Sequence, residues 1–156
     1  MRKIIKQILM IPPSEMRNKE YIENKVNDKK NTCIDDGYIK EIHEIVDISF
    51  HKFYEQNFSG NILINVEFEA DIIDVSVGDT IQCKIVKADV DGIIAESVYP
   101  IYTMVKDYEK LSFLQEGDII KVKVLQKQIG IKNNIIKTVS SFLEKVEMKQ
   151  QLNNNE

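Results

Sequence analysis

One phrase occurs twice in this chain, and it limits the available folds more than any other feature. Val77-Gly78-Asp79-Thr80-Ile81-Gln82-Cys83-Lys84-Ile85 returns as Glu116-Gly117-Asp118-Ile119-Ile120-Lys121-Val122-Lys123-Val124, an offset of 117 − 78 = 39 residues. In both copies Gly-Asp has the residue types of a tight turn and an alternating run follows, so each copy reads as a strand launched from a turn. Two copies are too few for a stacked solenoid. They fit two strands of one barrel.

The sequence around the copies supplies the other strands. Val90-Asp91-Gly92-Ile93-Ile94-Ala95-Glu96 carries the Asp-Gly signal of a hairpin, and Tyr99 to Val105 reads as a further strand. Lys106 to Gln115 is polar with some helical character. Lys132-Asn133-Asn134 reads as a turn, and Ile135 to Phe142 as a closing strand. Five strands within one short segment predict an all-β OB-fold barrel over residues 76–147. The Gln- and Asn-rich stretch 148–156 has the composition of a disordered tail.

Residues 1–75 read as a separate α+β unit. Arg2 to Ile11 is an Ile-rich strand stopped by Pro12-Pro13. Ser14 before Glu15 offers an N-cap, and Met16, Tyr21, Ile22 and Val26 fall near helical spacing. Asp35-Asp36-Gly37 is a turn, Ile39 to Ile48 a β-branched strand, and Ser49 to Gly60 a loop holding Phe50, Phe53, Tyr54 and Phe58. Ile62, Ile64, Val66, Phe68 and Ala70 then alternate with Asn61, Leu63, Asn65, Glu67 and Glu69, as in a strand with one apolar face.

Composition narrows function. The chain has 156 residues and a formal charge of -4, with 43% hydrophobic and 29% charged residues, as in a globular protein with a real core. Residues 1–75 hold ten basic and 14 acidic side chains, whereas residues 76–156 hold 11 of each. Bulk attraction to nucleic acid is therefore excluded, and any such contact must be local. No apolar run is long enough to span a bilayer and the N-terminus lacks a signal-peptide pattern, so an intracellular protein without membrane attachment is expected. Cys33 and Cys83 stand far apart without zinc-ligand spacing, and are expected as reduced thiols. No phosphate loop, nucleophile elbow or paired-His motif occurs, so neither a metal, a cofactor nor intrinsic catalysis is expected.

The order of these pieces resembles the stalk-subunit family of multi-subunit DNA-directed RNA polymerases, which includes the seventh subunit of eukaryotic RNA polymerase II and its archaeal counterpart. The resemblance rests on Ile11-Pro12-Pro13 before the helix, on Cys33 through Asp36-Gly37-Tyr38-Ile39, and on Val66-Glu67-Phe68-Glu69-Ala70. Gly78-Asp79 followed by Val90 to Glu96 resembles the opening of the family's barrel, although Ile93 and Ile94 stand where the family tends to have aromatic residues. Tyr99, Tyr102 and Tyr108 are the available substitutes. The resemblance spans about Ile4 to Phe142 and implies a truncated ribonucleoprotein-like tip domain that docks on the polymerase clamp, followed by an OB barrel that meets emerging RNA. It implies the large polymerase subunits, single-stranded RNA and a second stalk subunit as partners. An Ile-, Lys- and Asn-rich composition with Arg only at Arg2 and Arg17 suits an AT-rich genome, such as that of a large DNA virus. The expected location is then the virion and host cytoplasm, or the nucleus for a cellular eukaryotic protein.

Candidate sites follow from both lines. Lys121 and Lys123 share one side of a strand, and with Lys84, Tyr102, Lys127 and Lys132 they are the expected RNA contacts; an ordinary solvated strand face would look the same. Gly37, Tyr38, Phe50 and Phe53 are the expected docking residues, with packing inside their own unit as the alternative. A free-standing OB-fold RNA-binding protein, such as an RNA chaperone or translation factor, is the rival reading.

Overall fold

The computed structural model describes residues 1–53 and 60–147. Tyr54, Phe58 and the tail from residue 148 lie outside the described residues. The chain divides into two compact units, with the boundary between Ile73 and Asp74.

The first unit is a four-stranded antiparallel sheet with one helix. Strand β1 (Arg2–Ile11) leads through one 3-10 turn at Pro13–Glu15 to helix α1 (Lys19–Asn27), then β2 (Cys33–Ile34), β3 (Gly37–Phe53) and β4 (Ile62–Ile73). The sheet order is β1-β4-β3-β2. Strand β4 alternates without a break: Ile62, Ile64, Val66, Phe68, Ala70 and Ile72 are all buried. Ile5, Leu9 and Ile11 of β1 and Ile22 and Val26 of α1 join them in one core. Removing each such large side chain from water contributes roughly 1.5–3 kcal/mol.

Two expectations need correction. Ser14 does not cap the helix, because it lies within the 3-10 turn. Asn18 is the N-cap, its side-chain oxygen accepting from the Tyr21 amide at 3.2 Å. The Glu15 carboxylate accepts from Asn18 Nδ2 at 2.9 Å and holds that cap in place. Residues 49–53 are not loop either. β3 runs on to Phe53 because it pairs with β4 as far as Phe53 opposite Ile62, absorbing four register shifts on the way. Those bulges break the period of two, which is why the segment shows mixed periodicity.

Register sorts the side chains of this sheet onto two faces. The face away from the core carries Glu41 opposite Asp71, Glu44 opposite Glu69, and Asp47 opposite Glu67. Like charges directly across a sheet are unfavourable. Arg2 offsets part of this by bonding Glu69 at 3.1 Å, and Lys6 reaches Glu67 at 3.4 Å. His43 Nε2 lies 3.1 Å from Asp71 Oδ2, and this contact, with Arg2 nearby, holds the Asp71 carboxyl below its ordinary value.

The second unit is a closed five-stranded barrel of OB-like form. Its strands are β5 (Thr80–Asp89), β6 (Gly92–Glu96), β7 (Ile101–Val105), β8 (Ile119–Gly130) and β9 (Ile135–Val146), in the order β5-β6-β7-β9-β8. β7 and β9 run parallel and the other pairs antiparallel. Cys83, Ile85, Ile93, Ala95, Val105, Ile120 and Val122 fill the interior, and Leu111 and Leu114 pack into the same cluster from the β7–β8 connection. That connection contains only one 3-10 turn, Tyr108–Lys110. Where β7 meets β9, Thr103 Oγ1 donates to Ser140 Oγ at 2.6 Å and Thr138 Oγ1 donates to the Tyr102 carbonyl at 3.0 Å. These buried hydroxyls are thus satisfied inside the barrel.

The two copies of the repeated phrase are β5 and β8, and they pair with each other. Gly78 N donates to Val124 O at 2.7 Å and Val124 N to Asp79 O at 2.9 Å. Gly117 N donates to Ile85 O and Ile85 N to Asp118 O, both at 2.8 Å. Each turn is closed internally in the same manner, Asp79 Oδ2 accepting from the Ser76 amide and Asp118 Oδ2 from the Gln115 amide, both at 2.9 Å. Gly78 and Gly117 have φ of 95° and 91°, with open space where a Cβ would stand. Substitution there is strained by the backbone alone. Gly78→Ala and Gly117→Ala should therefore each destabilise the protein by about 1–2 kcal/mol, to the same extent, as read by urea unfolding. A neutral result at either position would break the equivalence of the two turns.

Candidate nucleic-acid interface

The barrel wall presents a groove of about 460 Å³ across β6, β7, β9 and the end of β8. Two rows of outward side chains, set by strand register, run across it, and all of them but Glu96 line it. Ile94 lies beside Met104, Met104 beside Val139, and Val139 beside Gln126, which gives a mostly apolar floor. Glu96 lies beside Tyr102, Tyr102 beside Lys137, and Lys137 beside Gln128, which gives a polar row with one aromatic ring and one amine. Partial burial, with Glu96 and Tyr99 nearby, raises the Tyr102 phenol above its ordinary value. A flat ring beside an apolar floor and a lysine can stack a base and meet its phosphate.

The expected RNA contacts divide into separate groups. Tyr102 is in the groove, and Lys132 is exposed in the β8–β9 turn. Lys84, Lys121 and Lys123 instead lie along the β5–β8 seam, Lys121 opposite Gln82 and Lys123 opposite Thr80. Lys121 Nζ is 3.2 Å from Glu144 Oε1, and among the described residues no ion pair is formed by Lys84 or Lys123. Lys127 does not extend the row of Lys121 and Lys123. A bulge between Val124 and Gln126 reverses the alternation, so Lys127 takes the register position beside buried Thr138. Its amine bonds both Asp74 oxygens, at 3.1 and 3.2 Å, and the residue is part of the groove lining. Of the other tyrosines, Tyr108 packs against the barrel core and Tyr99 is exposed outside the groove lining.

Met104 and Gln128 are groove residues without a sequence signal, and Lys137, the last lysine of the acid-free stretch that begins at Lys121, is a groove residue outside the expected RNA contacts. Lys137 comes beside Tyr102 only through the parallel β7–β9 pairing, a contact 35 residues apart in the chain (137 − 102) with no local signal. The alternation of β9 could have marked Lys137 as outward, but not its neighbour.

In the first unit the four expected docking residues also separate. Gly37 opens β3 with φ of 131° and is buried. Tyr38 is buried, with its hydroxyl 3.1 Å from Asn31 Oδ1. Both serve the β2–β3 turn and present little surface to a partner. Phe50 and Phe53 are 44% and 66% exposed and form an edge-on pair with ring centroids 5.4 Å apart. They occupy register positions opposite Ile64 and Ile62, and so continue the apolar face of the sheet past its buried part. Exposed paired aromatics of this kind suit a protein contact.

Cys33 and Cys83 are both buried and free of disulfide bonds. Burial pushes the Cys83 thiol up to about 11, against a smaller lowering by its hydrogen bond with Ser97. Among the described residues no group of three or more His, Cys, Asp or Glu could hold a metal ion, and no helix is long and apolar enough to cross a membrane. No protein-family model matches the sequence, and no curated protein matches it either. Cys83 should react with iodoacetamide at neutral pH far more slowly than a free thiol, because the thiolate is the nucleophile. Mass spectrometry of the alkylated native protein checks this; rapid labelling would place an activated thiol here after all.

Proposed function

We propose that this chain is a non-catalytic stalk-type subunit of a multi-subunit DNA-directed RNA polymerase. Its first unit docks on the clamp region of the large subunits, and its barrel contacts emerging single-stranded RNA. On this reading the first unit is a truncated ribonucleoprotein-like domain and the second an OB fold. The observation that carries the reading is the groove itself. It crosses β6 and β7, the second and third barrel strands, and the β8–β9 turn lies beside it; this is the face and loop with which OB folds engage oligonucleotides. The family resemblance over about Ile4 to Phe142 supports the same assignment, as does the exposed Phe50–Phe53 pair on the first unit.

The mechanism is affinity and positioning. Tyr102 offers a stacking surface, Met104 and Ile94 an apolar floor, and Lys137 with Lys132 the cations for phosphate. With few cations the contact is weak, and it tightens where the polymerase holds RNA close by, so that binding is in effect intramolecular. A second stalk subunit would sit in the same assembly. The location is that of the polymerase, the virion and host cytoplasm for a viral enzyme and the nucleus for a cellular eukaryotic one.

The groove assignment predicts which lysines matter. Tyr102→Ala should weaken binding to a fluorescent uridine-rich single-stranded RNA by about 1–3 kcal/mol, the range for loss of one stacked base. Lys137→Glu should weaken it as well and flatten the salt dependence, whose slope for single strands is about −0.7 per neutralised phosphate. Lys121→Glu, on the seam, should leave affinity within about a factor of two, since Lys121 already pairs with Glu144. Equal losses from the groove and the seam variants would move the interface off the groove.

A further inference from the structure

We propose that the open face of the N-terminal sheet, the side away from its core, docks a partner protein segment that combines lysine or arginine with apolar side chains. This face is distinct from the Phe50–Phe53 edge and from the barrel groove, so the inference goes beyond the function above.

Its chemistry has two parts. Three cross-strand pairs on β3 and β4 set carboxylate against carboxylate, and cations of the unit meet both members of one pair but only the β4 member of the other two. Arg2 takes Glu69 and Asp71, Lys6 takes Glu67, and Lys30 takes Glu41. Among the described residues no cation pairs with Glu44 or Asp47, both exposed. The second part is apolar. Along β1 the register puts Ile4 beside Glu69, Ile8 beside Asn65 and Met10 beside Leu63, all on this same face. They are 57%, 54% and 46% exposed, and β1 is an edge strand with no neighbour beyond it among the described residues.

A sheet face meant only for solvent gains from opposite charges across its strands and from polar side chains at its edge. This face meets those needs only between β1 and β4, where Arg2 and Lys6 lie opposite Asp71 and Glu67; β3 sets acid against the acid of β4, and Ile4, Ile8 and Met10 stand exposed on the edge strand. Both liabilities are relieved by one kind of occupant, a basic segment whose apolar side chains cover Ile4, Ile8 and Met10 while its cations meet Glu44 and Asp47. Charge complementarity decides among the alternatives. A second copy presenting the same face would set acid against acid, and RNA would be repelled.

The test uses the full chain and a fluorescent synthetic peptide of alternating lysine and valine, as long as the 10-residue β1. Lysine–serine and glutamate–valine peptides of equal length are the controls. Anisotropy titration should show the lysine–valine peptide binding at least about tenfold tighter than either control. The double variant Glu44→Lys with Asp47→Lys should lose that binding while melting at the same or a higher temperature, because each new lysine faces Glu69 or Glu67. Ile8→Ser should weaken the peptide too, and Phe50→Ala should not. The milder pair Glu44→Gln with Asp47→Asn serves should the lysine variant fail to fold. Wild-type affinity in either double variant, equal binding of the lysine–serine peptide, or self-association of the wild type through this face would overturn the proposal.

Discussion

Two glycine amides tie the ends of the β5–β8 seam, Gly78 to the Val124 carbonyl and Gly117 to the Ile85 carbonyl. The return bonds from Val124 and Ile85 to Asp79 and Asp118 complete a reciprocal clamp, in which each Gly-Asp turn extends the antiparallel ladder of the other copy's strand. The barrel closes at this seam, since β5 and β8 are neighbours in space although β6 and β7 separate them in sequence. Only a residue tolerant of positive φ can start each strand so close to its partner, which is why glycine stands at both positions. With the seam fixed, the alternation of every other barrel strand follows. Ile85, Ala95, Val105, Ile120 and Val122 go in, and the groove assembles where the outward rows of β6, β7 and β9 meet, with Ile94, Met104 and Val139 as its apolar floor.

The two units then divide the chemistry. The barrel balances its charges and keeps a tyrosine, a lysine and an apolar floor together on one wall. The N-terminal sheet holds the acid excess of the chain, and much of it stands on the face away from the core. A chain of net charge -4 can thus offer a local site for a polyanion on one unit while the other selects against one.

Elements with an unbroken period or a marked turn were legible in the sequence. β4 shows six buried positions at spacing two, and Asp91-Gly92 and Lys132-Asn133-Asn134 mark their turns. The repeated phrase pointed to two strands of one barrel, though not to their pairing with each other. What escaped was whatever depended on a bulge or on a distant neighbour. Four register shifts hid the length of β3, so Phe50 and Phe53 read as loop although both are paired. One bulge in β8 moved Lys127 away from Lys121 and Lys123. Leu111 and Leu114 looked like part of a polar connection, because their burial comes from a barrel interior that no local pattern reveals. Lys137 joined the site only through a parallel pairing, for the same reason.

The proposed role in a polymerase joins a docking unit to an RNA-facing barrel. It rests on the groove, on the exposed aromatic pair and on the order of the two units. The decisive experiment is affinity purification of the tagged full-length chain from its native setting, with the co-purifying proteins identified by mass spectrometry. Large polymerase subunits should be recovered with the wild type and lost with the double variant Phe50→Ala and Phe53→Ala. A wild-type chain that binds RNA yet brings down no polymerase subunit would refute the polymerase role and leave a free-standing RNA-binding protein.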